Sequence, residues 1–376
     1  MFHGYIVYPF GFPEGFLFLS YKDWAITFLI CNLDAMTIIL DDSLSREQLY
    51  PFTATRHVAD IRIGILTIRE KWALLNARKN NRTGEDIVTV PANILPAINN
   101  ANTITTSMAA GNLLADDENI KSINYPWDIF LLNDWAIKND FELITEGRKS
   151  QPLSSTNKAI SPENIFIEEG AKVEYSIINA GTGPVYIGSN AEVMEGCIIR
   201  GPFSLGEGAI LKMGSKIYGA TTIGPYCVAG GEIKNSIMFA HSNKAHDGYL
   251  GDSVIGEWCN LGGGTTTSNI KNTAGPVRVW NNKSKGYIVM GLKCGLLMGD
   301  YSRAAINTSF NTGTVVGVCC NIFGDSYPQK FVNDFTWGKE RYIFEKALQD
   351  IANWKKLKGE TISEQEKKIL KELYNQ

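Results

Sequence analysis

Residues 185–225 read "VYIGSNAEVMEGCIIRGPFSLGEGAILKMGSKIYGATTIGP". Ile187, Val193, Ile199, Leu205, Leu211, Ile217 and Ile223 recur in it every six residues without a gap. Ile167 and Val173 keep the step upstream, Ile255 and Leu261 resume it, and Met298, Ala304, Phe310, Val316 and Ile322 carry it on. A period of six fits neither an amphipathic helix nor a flat amphipathic strand. It fits a coil in which six residues make one short strand and one corner, three such units close a triangle, and the aliphatic side chain points inward. Glycine-rich corners such as "IGSN", "LGEG" and "IGPY" permit the bends. The pattern predicts a mainly β protein whose residues 151–337 form a left-handed parallel β-helix, a hexapeptide-repeat solenoid. It also predicts a register: Leu211 stacks between Val193 and Ala229.

Two segments break the period, "GEIKNSIMFAHSNKAHDGYLG" from Gly231 and "TTTSNIKNTAGPVRVWNNKSKGYIVMGLKCG" from Thr265. Breaks in a solenoid are expected as loops, and loops on a rigid scaffold often carry function. Residues 36–150 alternate strand-like runs ("TIIL", "DIVTVP") with helical ones, which predicts a small α/β unit. Residues 338–376 read as C-terminal helices. Tyr342, Phe344, Ala347, Ile351 and Trp354 form one apolar stripe, and Ser363 with Glu366 makes a capping box. Residues 1–35 are aromatic-rich and are expected to be a poorly ordered extension, with Met36 as the natural start. They lack the basic flank of a signal peptide, and Lys22 and Asp23 interrupt any membrane span.

The 376 residues carry a net charge of −3, so no basic face for nucleic acid is expected. The seven cysteines contain no C-x-x-C pair, so they are expected to be buried thiols in a cytoplasmic protein.

Chemistry concentrates in "KAHDGYLGD", residues 244–252. The chain has four histidines, and two of them, His241 and His246, stand here with H-x₄-H spacing. That spacing leaves open a proton acceptor, a γ-carbonic-anhydrase-like metal site, or a polar turn. A zinc site needs a third protein ligand, and no further histidine occurs in the solenoid. No metal site is therefore assigned.

The segment "EIKNS…SNKAHDGYLGDSVIGEWCNLGGGTTTSN", residues 232–269, resembles the acetyltransferase domain of the bifunctional enzyme that makes UDP-N-acetylglucosamine. From Met36 onward the chain resembles GlmU-like sugar nucleotidyltransferases of Bacteroidetes, with "KMGSKIYGATTIGPY", "GDSVIGEWCNLG" and "FNTGTVVGV". The resemblance implies an acyl-CoA-dependent acyltransferase, with acetyl-CoA as donor and a sugar phosphate or sugar nucleotide as acceptor, assembled as a homotrimer. It makes His246 the general base. Lys234, Tyr249, Asn260 and Asn269 would line the acceptor site, and the backbone of Gly263 would meet the acyl-CoA. Histidine suits the role because its reference pKa is roughly 6.5. The family's "KAGH" is one residue longer than "KAH" here, so His246 is expected to be displaced along the coil.

The start, "IILDDSLSREQLYPFTATRHVADIRIGILTIREKW", resembles sugar-1-phosphate nucleotidyltransferases, but no glycine occurs in "DDSLSREQLYPF", where the phosphate-cradling loop belongs. Nucleotidyl transfer, which would need Mg²⁺, is kept as an alternative. An inactive trimeric scaffold is another. The 36–150 unit is expected to be a degenerate module in which Arg46, Arg56 and Arg62 are either phosphate ligands or plain surface arginines.

Overall fold

The computed structural model describes residues 16–20, 27–31, 37–78, 87–111, 120–324 and 327–376. Residues 158–337 wind, with one excursion, as a parallel β-helix with three faces. The first face runs from Lys158–Ile160 to Tyr249–Gly251 in six strands. The second runs from Ile165–Ile167 to Phe331–Val332 in nine. The third begins at Lys172–Val173 and ends at Thr336–Trp337, with Glu340–Arg341 added antiparallel. The aliphatic residues on the six-residue step line the interior, none of them more than 5% exposed. Leu211 pairs with Val193 on one side and Ala229 on the other, as the spacing predicts.

The faces differ in what covers them. First-face strands alternate, with Ile177 and Ile198 about half exposed and Ile178 and Ile199 buried. Second-face strands such as Val185–Ile187 and Phe203–Leu205 are buried on both sides. Their outward side chains, among them Phe166, Tyr186, Phe239 and Val254, join the core of the N-terminal unit.

That unit has parallel strands Thr37–Asp41 and Ile87–Pro91, with Phe16–Ser20 and Thr27–Cys31 added antiparallel at one edge. These two edge strands come from the segment 1–35 expected to be an extension; its other residues, and Met36 after it, lie outside the described residues. The unit's helices are α1 (Ile68–Ala77), α2 (Ala101–Ala109), α3 (Asp128–Leu131) and α4 (Asn133–Thr145). Thr67 and Glu70 form a capping box that starts α1. Helix α2 has three threonines among its nine residues, which is why propensity does not announce it.

One expectation is overturned. Residues 231–251 are not a loop: Glu232–Lys234, Ile237–Met238, Asn243–Lys244 and Tyr249–Gly251 continue all three faces. The coil shortens here instead of leaving the fold. Thr222 pairs with Ile237, 15 residues on, and Ile233 with Leu250, 17 residues on, against 18 from Leu205 to Ile223. A shortened coil breaks the six-residue step while keeping the ladder. The break at Thr265 is a true excursion: Val254 pairs with Leu297, and between them Val277–Asn281 and Gly286–Gly291 form an antiparallel hairpin. Its Val277 and Val279 are buried in the core shared with the second face.

The chain ends in α5 (Phe344–Leu357) and α6 (Glu364–Tyr374), the latter opened by the Ser363–Glu366 capping box. They cover the corner between the second and third faces. Tyr342, Phe344, Ala347 and Ile351 pack there with Trp258, Tyr301 and Phe335, and Arg303 lies over the Trp354 ring at 5.5 Å.

Candidate functional site

Three histidines fall among the described residues, and their surroundings separate them. His57 caps a short helix: its Nδ1 accepts from the Ala59 N–H at 3.1 Å, and its Nε2 lies 3.5 Å from Asp42. His241 sits at the corner between second and third faces with positive φ. Its ring stacks on Trp258 at 4.2 Å and on Tyr226 at 5.2 Å. Burial and the nearby Lys358 and Lys355 push its pKa down to about 4. His246 is exposed, and its imidazole makes no hydrogen bond among the described residues. Two of these histidines are used by the fold, and His246 is free to act on a ligand.

His246 occupies the corner between the third face (Asn243–Lys244) and the first (Tyr249–Gly251). The same corner one coil on is Gly262-Gly263-Gly264. A Cβ on Gly263 would come within 3.7 Å of the His246 side chain, so the two residues are stacked neighbours. Asn243 and Asn260 pair at a spacing of 17, the same step that separates His246 from Gly263. His246 and Gly263 therefore keep the register of their coils, downstream of the "KAH" shortening. The Gly263 carbonyl accepts from Asn307 N at 2.7 Å, while its N–H makes no hydrogen bond among the described residues. Beyond Asn307 the corner opens into a groove of about 1270 Å³ lined by Ile306, Phe323, Tyr327, Arg341 and Tyr374.

The first face carries the acceptor-type residues. Tyr218, Lys234 and Gly251 form one row across neighbouring strands, and Glu232 pairs with Tyr249 in the next. The Tyr218 hydroxyl donates to Glu232 at 2.5 Å, and the Lys234 ammonium lies 5.6 Å from the Tyr218 ring. The Asn269 amide donates to the Tyr249 hydroxyl at 3.2 Å and to Asp252, which also accepts from Asn235 at 2.7 Å. Burial, and then the neighbouring Tyr218, raise the Tyr249 pKa. The fold therefore brings Lys234, Tyr249 and Asn269 onto one face beside His246 and Gly263.

Asn260 does not join them. It lies on the third face, paired with Asn243 and Arg303, under the side covered by the C-terminal helices. Spacing in sequence places it near the motif, but the coil turns its side chain to a different face.

Lys244 was not foreseen. It stands in register with Ala229 on the interior row and is 2% exposed. Its ammonium donates to Gly230 O at 3.0 Å and to His246 O at 2.5 Å. Burial lowers its pKa to about 8. A lysine at an aliphatic position of the repeat is the sequence signal, because a buried cation needs dedicated acceptors. Those acceptors here hold the corner that presents His246.

The arginines of the N-terminal unit have other employment. Arg46 pairs with Asp42 at 2.9 Å, Arg62 donates to Ile65 O and pairs with Glu70 at 3.6 Å, and Arg56 reaches Asp300 and, at 2.9 Å, Glu257 of the solenoid. None is a plain surface arginine. Asn93 of the same unit donates to Ile123 O at 3.2 Å. No group of three His, Cys, Asp or Glu able to hold a metal occurs among the described residues. No helix among them is long and apolar enough to cross a membrane.

Residues 37–84 and 79–149 match the family model described as sugar nucleotidyl transferase. Over 117 residues the chain is 37% identical to the bifunctional protein GlmU of Methanocaldococcus jannaschii, covering 31% of this chain and 28% of that one. Over 237 residues it is 31% identical to a bifunctional sugar-1-phosphate nucleotidylyltransferase/acetyltransferase of Sulfurisphaera tokodaii, covering 59% and 50%. The chain thus spans at most about half the length of these relatives. A hexapeptide transferase family protein from Anaplasma phagocytophilum aligns over 58% of this chain and 87% of its own at 13% identity, with a TM-score of 0.15, too low to establish a shared fold.

Proposed function

We propose that the chain is an acyl-CoA-dependent acyltransferase acting on an amino or hydroxyl group of a sugar phosphate or sugar nucleotide. The observation that carries this reading is the exposed imidazole of His246, stacked under Gly263 and next to the face that bears Tyr249, Asn269 and Lys234. In the proposed reaction the acceptor nitrogen or oxygen attacks the thioester carbon. The C–S bond breaks, the thiolate leaves, and the acceptor proton passes to His246. Tyr249 and Asn269 orient the sugar through hydrogen bonds, and Lys234 supplies charge to a phosphate. The unpaired Gly263 N–H faces the acyl donor, whose length follows the groove past Ile306 and Phe323. Lys244 fixes the backbone of the base. The sugar nucleotidyltransferase match and the acetyltransferase named in the Sulfurisphaera tokodaii relative support the substrate class.

With the second face covered by the N-terminal unit and the hairpin, and part of the third by the C-terminal helices, the first face and the remainder of the third are the sides left for copies of the chain. We propose a homotrimer, expected as three chains per particle in light scattering.

The test follows free thiol from acetyl-CoA, with glucosamine-1-phosphate and then amino-sugar nucleotides as acceptors. His246→Ala and His246→Asn should each lower kcat by roughly 10²–10⁴-fold, the usual contribution of a positioned base. His241→Ala should leave kcat within a few fold. Unchanged turnover in His246→Ala would return the residue to a corner without chemistry.

A further inference from the structure

The excursion that follows Asn269 has an unusual charge. From Trp258 to Gly299 there is no acidic residue, while Lys271, Arg278, Lys283, Lys285 and Lys293 are all present in a chain whose net charge is −3. The cations are placed by the backbone. Lys271 Nζ donates to Pro276 O at 2.5 Å, and Lys330 Nζ, arriving from the last coils, donates to Arg278 O at 2.8 Å. Pro276 and Arg278 are two residues apart, so the two ammonium groups are held along one short length of the hairpin, beside the exposed Arg278 guanidinium.

None of Lys271, Arg278, Lys293 and Lys330 forms an ion pair among the described residues. Asp252 lies near Cys294, but amides of Asn235 and Asn269 take its two oxygens. Burial holds Lys330 below the usual lysine range, and Lys271 and Arg278 press it further down. Like charges gathered without a counter-charge cost free energy, which an anion between them offsets.

The cluster adjoins the acceptor face. Cys294 N donates to Asn269 O at 2.9 Å, closing the root of the excursion where Asn269 touches Tyr249. Lys271 follows Asn269 by two residues and Lys293 precedes Cys294. One cation, Lys234, already stands on the face, which is enough for a single phosphate. The further cations belong to the excursion that starts and closes at Asn269, the residue that bonds Tyr249.

We infer that the acceptor is a nucleoside-diphosphate sugar and not a sugar monophosphate, with the diphosphate held by Lys271, Arg278 and Lys330. This rests on the reading of Tyr249 and Asn269 as the sugar-binding face.

The experiment is calorimetric titration of the full chain with UDP, ADP and inorganic phosphate, followed by turnover with glucosamine-1-phosphate and UDP-glucosamine. At least one nucleoside diphosphate should bind ten-fold or more tighter than phosphate. The charge-removing variants Lys330→Met, at a half-buried position, and Arg278→Met, at an exposed one, should weaken it at least ten-fold. Circular dichroism should show them folded. Binding needs no acyl transfer. If the variants lose diphosphate binding and no turnover is found, the inference stands while the acyltransferase reading falls. If neither diphosphate binds tighter than phosphate, or both variants bind as the parent does, the inference is overturned. Turnover on glucosamine-1-phosphate with a kcat/KM above that for UDP-glucosamine overturns it too and leaves the acyltransferase reading in place.

Discussion

The N-terminal unit and the corner of the solenoid that carries His246 use their charges in opposite ways. In the unit each arginine offered by the sequence as a phosphate ligand is engaged: Arg46 with Asp42, Arg56 with Asp300 and Glu257, Arg62 with Glu70. Lys71 is fully buried against Asp140, which also accepts from Ile65 N and Leu66 N. Asn133 and Gly64 then bond Thr222 of the second face. At the solenoid corner the His246 imidazole makes no hydrogen bond among the described residues, and Lys271, Arg278 and Lys293 of the excursion form no ion pair among them, Lys271 and Arg278 bonding only backbone carbonyls. A polar group held by the fold stabilises it, and one left open is available to a ligand. The unit that matches a sugar nucleotidyl transferase model uses these charges within itself and, through Arg56, in docking, while the excursion keeps cations without a carboxylate partner among the described residues.

The most severe way to break this comparison is to remove Arg56, whose side chain is 10% exposed. Arg56→Met leaves Asp300, itself 3% exposed, and Glu257 facing each other without their cation. Removing one partner of a buried pair typically costs about 3–5 kcal/mol. Urea denaturation should show a loss of that size, while acyl transfer measured well below the transition keeps its KM. A variant of parental stability that loses nucleotide binding instead would make Arg56 a ligand group and erase the contrast.

An intermediate effect sharpens the contrast between histidines. The folded pKa of His241, about 4, lies below the ordinary value of 6.5, so the folded chain binds fewer protons than the unfolded one between those values. The contribution of His241 is fully present above pH 6.5 and is lost as pH falls toward 4. Between pH 7 and pH 5 the loss should be about 1–2 kcal/mol, discounted for the part of the ring that solvent reaches. His241→Phe keeps a ring in the stack and should remove that part of the pH dependence in urea midpoints. An unchanged pH slope would mean that the ring is not held neutral by its neighbours.

The legibility of the molecule follows the same division. The six-residue step disclosed the coil and its register because the interior tolerates little but aliphatic side chains, so Leu211 could be placed between Val193 and Ala229. The step lapsed at 231–251 because a shortened coil changes phase, and a lapse of period looks the same in sequence as a loop. Lys234, Tyr249, Asn260 and Asn269 are offered together by the motif, but spacing alone does not say which of three faces a residue takes, and Asn260 lies on a different face from the other three. The partners of Arg56 lie more than 200 positions away, beyond the reach of any local pattern.

The smallest expected effect comes from Arg46, and it tests the N-terminal unit most directly. Arg46 stands in the segment where a nucleotidyltransferase cradles its triphosphate, and it is the most exposed of the three arginines, at 27%. Its partner Asp42 also accepts from Val58 N at 3.2 Å and lies near His57, so the carboxylate keeps other contacts when the guanidinium is removed. Arg46→Ala should therefore cost only about 0.5–1 kcal/mol, the range of a partly exposed pair. If the unit only docks, the same variant should leave untouched both acyl transfer and any heat released on titration with UTP and Mg²⁺. Pyrophosphate released from UTP and a sugar-1-phosphate by the parent chain, and lost in Arg46→Ala, would instead show that Asp42 holds this arginine in readiness for a triphosphate. The two halves of the molecule would then both be working sites.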